Sequence, residues 1–315
     1  MKKQKATVFK CSACGHQEAK WLGRCPACGE WNTLAETQAA AAGRGAGRQA
    51  GGGLAAPHSM PLASVPRDEG ARFSSGIAEL DAVLGGGIIR RGVTLVGGEP
   101  GIGKSTLLLQ TASLCDTRGR VLYVSGEESA GQIKLRAERL GLDCAKIEIF
   151  CSGALTEIET VLDTLKPSVI IVDSAQTLYS PEAGVVSGTV NQLKYCSFEL
   201  ISWVKEHDAA LFLVAHVTKD GFIAGPKTLE HMVDTVLYFE QTDGENRFLR
   251  ASKNRFGSVD EIGIFTMSAA GLQAVEDPSR LFLVRRENAL PAGVAAAAVL
   301  EGSRCLLVEI QALTV

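Results

Sequence analysis

From Phe73 onward, short apolar runs alternate with longer stretches of mixed, helix-period character. Val93-Thr94-Leu95-Val96, Val121–Ser125, Ile147–Phe150, Val169–Asp173 and Ala210–Ala215 read as strands. Between them, Thr106–Leu114, Ser129–Leu140, Thr156–Leu165 and Val190–Glu206 read as amphipathic helices. Val169-Ile170-Ile171-Val172 is apolar at every position, which suits a parallel strand covered on both faces. After Met232, Thr235–Glu240, Arg247–Ser252 and Ile262–Met267 read as strands joined by turns. Strand and helix in alternation predict an α/β fold with a mostly parallel sheet. No internal repeat of fixed period interrupts it.

The pattern breaks at both ends. Residues 8–34 are rich in Cys and hold two of the three Trp. Residues 35–65 are mainly Ala, Gly, Ser, Pro and Arg, and bury too little to offset their ordering entropy, so they read as a flexible linker. The expected layout is a four-cysteine module at 1–34, a linker at 35–70, a globular domain at 71–280 and a partial unit at 281–315. In the last unit, Val299–Arg304 and Leu307–Leu313 read as strands, and the pattern is cut short at Val315.

Composition narrows the picture. With 46% hydrophobic and 21% charged residues in 315, the chain is ordinary for a soluble globular protein. A net charge of -3 excludes a protein that binds nucleic acid through its bulk field; any such site must come from local cations. Met1-Lys2-Lys3-Gln4-Lys5 is basic, but no apolar segment follows, so no secretory signal is expected. No uncharged apolar run reaches the length of a membrane span. Of nine cysteines, five are scattered (Cys115, Cys144, Cys151, Cys196, Cys305), which suits a reducing, cytoplasmic setting.

The strongest motif is Gly98-Glu99-Pro100-Gly101-Ile102-Gly103-Lys104-Ser105-Thr106, set between a strand and a helix. This G-x-x-x-x-G-K-S spacing is a P-loop: the glycines turn backbone N–H groups toward phosphate oxygens, and the helix start adds its dipole. Lys104 is expected on the β- and γ-phosphates of ATP, and Ser105 on Mg²⁺. Asp173, ending the all-apolar strand, suits the Mg²⁺ position of this fold. Glu127 and Glu128 follow the second strand at the same sheet edge, and one of them is the candidate to activate water. At the amino end, Cys11-x2-Cys14 and Cys25-x2-Cys28 bring four thiolates to tetrahedral spacing for structural Zn²⁺. Gly15 and Gly29 follow the second cysteine of each pair, and Trp21 and Trp31 are placed to cover the site. No open ligand position suggests catalysis there, so interaction is the expected use. Lys10, Lys20 and Arg24 give that module modest basic character.

Four motifs in order carry a family resemblance. They are Trp-Leu-Gly-Arg-Cys-Pro-Ala-Cys-Gly-Glu-Trp (21–31), the P-loop, Tyr-Val-Ser-Gly-Glu-Glu-Ser (123–129) and Lys-Asn-Arg-Phe-Gly (253–257). With them the chain resembles the bacterial RadA (Sms) DNA repair family, relatives of RecA, over nearly its whole length. The resemblance implies a RecA-like P-loop ATPase core, preceded by a zinc-ribbon-like module and followed by the truncated start of a Lon-protease-like domain. It implies a DNA-dependent, helicase-like ATPase that drives processing or branch migration of recombination intermediates on single-stranded DNA. Its expected partners are single-stranded and branched DNA and a recombinase or replicative helicase, and its expected assembly is a homo-hexamer. By similarity, Glu127 looks like the catalytic glutamate, with Glu128 the alternative. His216 senses the γ-phosphate, and Lys253 and Arg255 reach a neighbour's γ-phosphate. Segments 179–191 and 217–228, with Lys219 and Lys227, resemble DNA-facing loops. A second class is an ATP-binding regulatory switch that recruits a recombinase or helicase through its zinc module without motor activity. A third, a clock-type RecA-fold kinase, shares the Glu-Glu pair, but the cysteine module and 253–257 argue against it.

Overall fold

The computed structural model describes residues 7–11, 17–18, 20, 23–26, 31, 34–38, 61–64, 71–184, 189–216, 228–241, 246–284, 286 and 291–312. The chain divides into two compact units, Met1–Ser64 and Val65–Val315. In the first, β1 (Thr7–Cys11), β2 (Gln17–Glu18) and β3 (Leu34–Gln38) form an antiparallel sheet of order β2-β1-β3. Cys11 lies opposite Leu34, and Thr7 opposite Gln38. β3 thus takes in residues 35–38, whose composition reads as linker. A ladder partner supplies the order that their side chains do not. Most of the expected linker lies outside the described residues.

The second unit starts with β4 (Arg72–Phe73), α1 (Ala78–Leu84) and β5 (Ile88–Ile89). The alternating part follows as β6 (Val93–Gly98), α2 (Lys104–Leu114), β7 (Val121–Ser125), α3 (Ala130–Arg139), β8 (Ile147–Phe150), α4 (Leu155–Leu165), β9 (Val169–Asp173), α5 (Val190–Glu206) and β10 (Ala210–His216). After α6 (Thr228–Met232) come β11 (Thr235–Gln241), β12 (Asn246–Asn254), β13 (Ile262–Ser268) and β14 (Gly271–Ala274). The main sheet has the order β14-β13-β12-β11-β6-β10-β9-β7-β8. From β11 to β8 all pairings are parallel; β12, β13 and β14 extend it antiparallel.

Alternation along each strand explains the three layers. On β9, Val169 and Ile171 join Leu107, Leu108, Ile133 and Ala137 of α2 and α3 in one core. Ile170 and Val172 join Ile158 and Leu162 of α4 and Leu200 and Val204 of α5 in the other. Both faces being covered, β9 is buried at every position, as its apolar run predicts. Among the described residues no helix is long and apolar enough to cross a membrane.

The last elements are α7 (Ser279–Phe282) and an antiparallel hairpin, β15 (Val294–Glu301) and β16 (Arg304–Gln311). The strands begin earlier than the sequence pattern suggests, and Gly302-Ser303 forms the turn. The hairpin is fastened to the main α/β domain by charges. Arg304 donates through both terminal nitrogens to the buried Glu79 of α1, at 2.9 and 2.7 Å. Glu79 also accepts from the Ile264 N–H of β13 at 2.9 Å. Arg250 pairs with Glu301, and Ser303 donates to Glu261. Removing one partner of a mostly buried pair strands the other's charge. The substitution Glu79→Ala is therefore expected to cost about 2 kcal/mol or more in urea unfolding. A loss under about 0.5 kcal/mol, the range of an ordinary surface change, would contradict this role.

Candidate active site

The parallel register brings the carboxyl ends of β6, β7, β9 and β10 to one edge. Gly98 lies opposite His216, and Ser125 opposite Asp173. At this edge β6 runs into the P-loop and then α2. Gly98 and Gly103 both have positive φ, 157° and 119°. A Cβ at Gly103 would lie 2.8 Å from the Met267 side chain, and one at Gly98 would lie 2.8 Å from the Phe239 carbonyl. The loop therefore excludes larger residues on steric as well as conformational grounds. Gly103 is the N-cap of α2, and no side chain caps that end. The uncapped first turn is a ready seat for an anion.

A cleft of about 320 Å³ opens in front of it, lined by Gly101, Gly103, Lys104, Ser105, Thr106, Ser125, Glu127, Glu128, Arg136, Asp173, His216 and Met267. A second cavity shares Thr106 and Met267 with it and continues along Arg139, Leu140 and Gly271. Of the residues singled out in the sequence, the first cleft gathers Gly101, Gly103, Lys104, Ser105, Thr106, Asp173, Glu127, Glu128 and His216. Gly98, Glu99, Pro100 and Ile102 complete the loop behind it.

Lys104 is 4% exposed, and its ammonium donates to the Gly98 and Glu99 carbonyls at 2.7 and 2.9 Å. Burial pushes its pKa below the ordinary 10.5, and the charges of Asp173 and Glu127 offset part of that. Asp173 is also buried, and its Oδ2 accepts a 2.6 Å hydrogen bond from the Tyr123 hydroxyl. Burial, then the Asp173 charge and hydrogen bond, push that phenol well above its usual pKa, so Tyr123 is a fixed donor. Glu127 Oε1 accepts from Ser174 Oγ at 2.5 Å and lies 3.6 Å from His216 Nε2. His216 Nδ1 is buried without a partner among the described residues. Glu128 is tied differently: its N–H donates to Ser125 Oγ at 3.0 Å, and its carboxylate pairs with Arg136. Ser129 and Gln132 close a capping box that fixes the start of α3, and so the position of Arg136.

The donor set suits its expected ligands. Ser105 and Asp173 offer hard oxygens to a divalent cation beside a phosphate-binding loop. In the first unit, Cys25 is buried, and Arg24 bridges to Trp31 with its guanidinium 5.7 Å from the Trp ring. Trp31 is itself 67% exposed. Cys14, Cys28 and Trp21 lie outside the described residues.

Lys253 and Arg255 are not in this cleft. Asn254 pairs with Thr235, which pairs with Thr94 near the start of β6. They therefore sit at the amino edge of the parallel strands, about 13 Å along β6 from Gly98 at the usual rise per residue. Lys253 donates to the Glu230 and Val233 carbonyls at 2.6 and 2.7 Å. Arg255 is more than half exposed, 3.4 Å from the buried Asp234. Residues 185–188 and 217–227, with Lys219 and Lys227, lie outside the described residues. Sequence reasoning missed Tyr123, Ser125, Ser174 and Arg136. Tyr123 and Ser125 lie within the 123–129 motif but were not read as site residues, and Arg136, a lone arginine on a helix, carried no signal of its own.

The comparisons agree with this architecture. Residues 59–221 match the AAA domain family, and residues 9–36 match the rubredoxin metal binding domain family. The chain is 54% identical to the DNA repair protein RadA of Treponema pallidum over 317 residues, covering 100% of this chain and 69% of that protein. The proteins of the same name in Pseudomonas aeruginosa and Bacillus subtilis are 47% and 45% identical, each alignment covering 97% of this chain and 67% of the relative.

The cleft carries a stability consequence. Because burial holds the folded-state pKa of Lys104 below its unfolded value, the charged ammonium costs the ligand-free fold stability at neutral pH. That cost fades as pH rises toward 10.5. Lys104→Met keeps the stem and removes the charge. The ligand-free variant is expected to melt at or above the wild-type temperature at pH 7, even though it loses its ligand. A melting temperature clearly below wild type would show that the two carbonyl hydrogen bonds outweigh the burial cost.

Proposed function

The chain belongs to the RadA family of DNA repair proteins, and from that premise we propose that it is a DNA-dependent ATPase whose turnover drives processing or branch migration of recombination intermediates on single-stranded DNA. The observation that carries this reading is the split between the two sheet edges. Phosphate-binding, carboxylate and histidine groups share one cleft, while Lys253 and Arg255 lie at the opposite edge. Those two cations cannot serve their own P-loop, so their use is on a neighbour's nucleotide, in a ring of identical subunits.

In this reading the P-loop N–H groups and Lys104 hold the β- and γ-phosphates of ATP. Ser105 and Asp173 hold Mg²⁺, which neutralises phosphate charge when bound. Tyr123 keeps the Asp173 carboxylate oriented. Glu127, steadied by Ser174, takes the proton of the attacking water. The water oxygen bonds to the γ-phosphorus as the bond to the β–γ bridging oxygen breaks, and ADP leaves. His216 faces Glu127 across 3.6 Å and can report whether a γ-phosphate is present. Glu128, already paired with Arg136, is the poorer base. The neighbour's Arg255, the more exposed of the two cations, stabilises charge on the γ-phosphoryl group in the transition state. Cys11, Cys14, Cys25 and Cys28 hold zinc, and the exposed Trp31 gives the module a surface for a recombinase or helicase.

ATP turnover measured with and without single-stranded DNA tests the function. DNA is expected to raise the rate of the wild type, Lys104→Ala to abolish it, and Arg255→Ala to lose turnover while still binding ATP. Intact ATP binding with no response to DNA would sink the motor reading and leave the regulatory switch. For the module, Cys25→Ser is expected to lower zinc content below one per chain by atomic absorption; an unchanged content would contradict the four-thiolate site.

A further inference from the structure

One charged group in the nucleotide cleft has no role in the mechanism above. Arg136 projects from the second turn of α3 into the cleft that Gly103, Lys104, Ser105, Thr106 and Asp173 also line. Its side chain is 19% exposed. One terminal nitrogen, Nη2, pairs with the Glu128 carboxylate. The other, Nη1, is completely buried and has no hydrogen-bond partner among the described residues. A guanidinium is a rigid fork of donors that matches carboxylate and phosphate oxygens, and leaving a charged N–H buried and unpaired is costly. The side chain lines an anion-binding cleft that Lys104 also lines, against the carboxylates of Glu127, Glu128 and Asp173. A triphosphate brings several more negative charges to the same space.

We propose that Arg136 is a phosphate ligand of the bound nucleotide, acting within its own subunit, and that Glu128 is its holder in the empty site. Glu128 fixes one branch of the fork and leaves Nη1 unpaired, so a turn of the guanidinium on nucleotide entry gives it a phosphate oxygen. The pair is thereby largely pre-organised: the guanidinium is held at the cleft before nucleotide enters, and little side-chain freedom remains to be lost. The assignment also explains why two adjacent acids follow β7. Glu127 is bonded to Ser174 and faces His216, whereas Glu128 faces Arg136. The two acids therefore serve different groups. This inference rests on the nucleotide-site reading above, and the test separates the two.

The experiment is equilibrium binding of fluorescent ATP and ADP to the full chain, for wild type and for Lys104→Ala, Arg136→Ala, Arg136→Lys and Glu128→Gln. Arg136→Ala is expected to weaken binding by about tenfold or more, the usual worth of a charge-assisted hydrogen bond. Arg136→Lys keeps the charge without the fork and is expected to fall between. Glu128→Gln keeps an acceptor for Arg136 while removing a carboxylate from the phosphate cleft, and is expected to lose clearly less binding than Arg136→Ala. A loss for ATP alone assigns Arg136 to the γ-phosphate; a loss for both nucleotides assigns it to an inner phosphate. If wild type binds and Lys104→Ala does not, while Arg136→Ala binds like wild type, Arg136 is no ligand. If Glu128→Gln weakens binding as much as Arg136→Ala does, the pair is only a structural brace. Should Arg136→Ala fail to fold, Arg136→Lys and Glu128→Gln still decide the matter. If wild type binds neither nucleotide, the nucleotide-site reading falls first.

Discussion

Parallel pairing is the constraint on which the site depends. Strands β11, β6, β10, β9, β7 and β8 all run one way, so their carboxyl ends share one edge and their amino ends the other. Each strand then delivers its last residues to the same place: Gly98 before the P-loop, Ser125 before the two glutamates, Asp173 and His216. A one-residue slip in any strand would turn its terminal side chain from the cleft to the opposite face. Close packing on both sides resists that slip, because Val169 to Val172 would have to exchange their places in the two cores. The apolar interior thus sets the accuracy of the polar edge.

The same geometry divides the chemistry. β12 returns antiparallel beside β11, so its last residues reach the amino edge. There Lys253 is tied to two backbone carbonyls, and Arg255 extends from the buried Asp234. A single chain therefore has Lys253 and Arg255 at one edge and the phosphate loop at the other, with the length of the strands between. At the phosphate edge the charges are already poised. Lys104 is desolvated, Asp173 is held by a phenol, and Arg136 is half-paired. The desolvated Lys104 and the half-paired Arg136 are costs in the empty fold that an anion of the right shape would offset.

Much of this was legible in the sequence, and for a physical reason. β6, β7, β9 and β10 are continuous apolar runs, and the P-loop needs glycine where no Cβ fits. Both signals are local. α1 was not legible, because its seven residues are too few to show a helical period. Arg136 was invisible as a site residue because a lone arginine on a helix usually lies on a solvated surface. Its importance comes from burial and from Glu128 eight residues earlier. Nor could spacing reveal that Lys253 and Arg255 stand apart from the P-loop, since that follows from the register of β12 on β11. At the amino end, the polar segment Ala35-Glu36-Thr37-Gln38 resembled linker and was ordered by its pairing with β1.

The central claim is that one active site is built from two chains, one giving the P-loop edge and the other the Arg255 edge. The most direct measurement mixes Lys104→Ala and Arg255→Ala chains, each inactive alone, and follows ATP turnover on single-stranded DNA. In the mixture, some interfaces join an intact P-loop to an intact Arg255. Turnover is expected to return on mixing and to rise with the proportion of such interfaces. A mixture as inactive as its components, or an Arg255→Ala chain that turns over ATP at the wild-type rate by itself, would contradict the account.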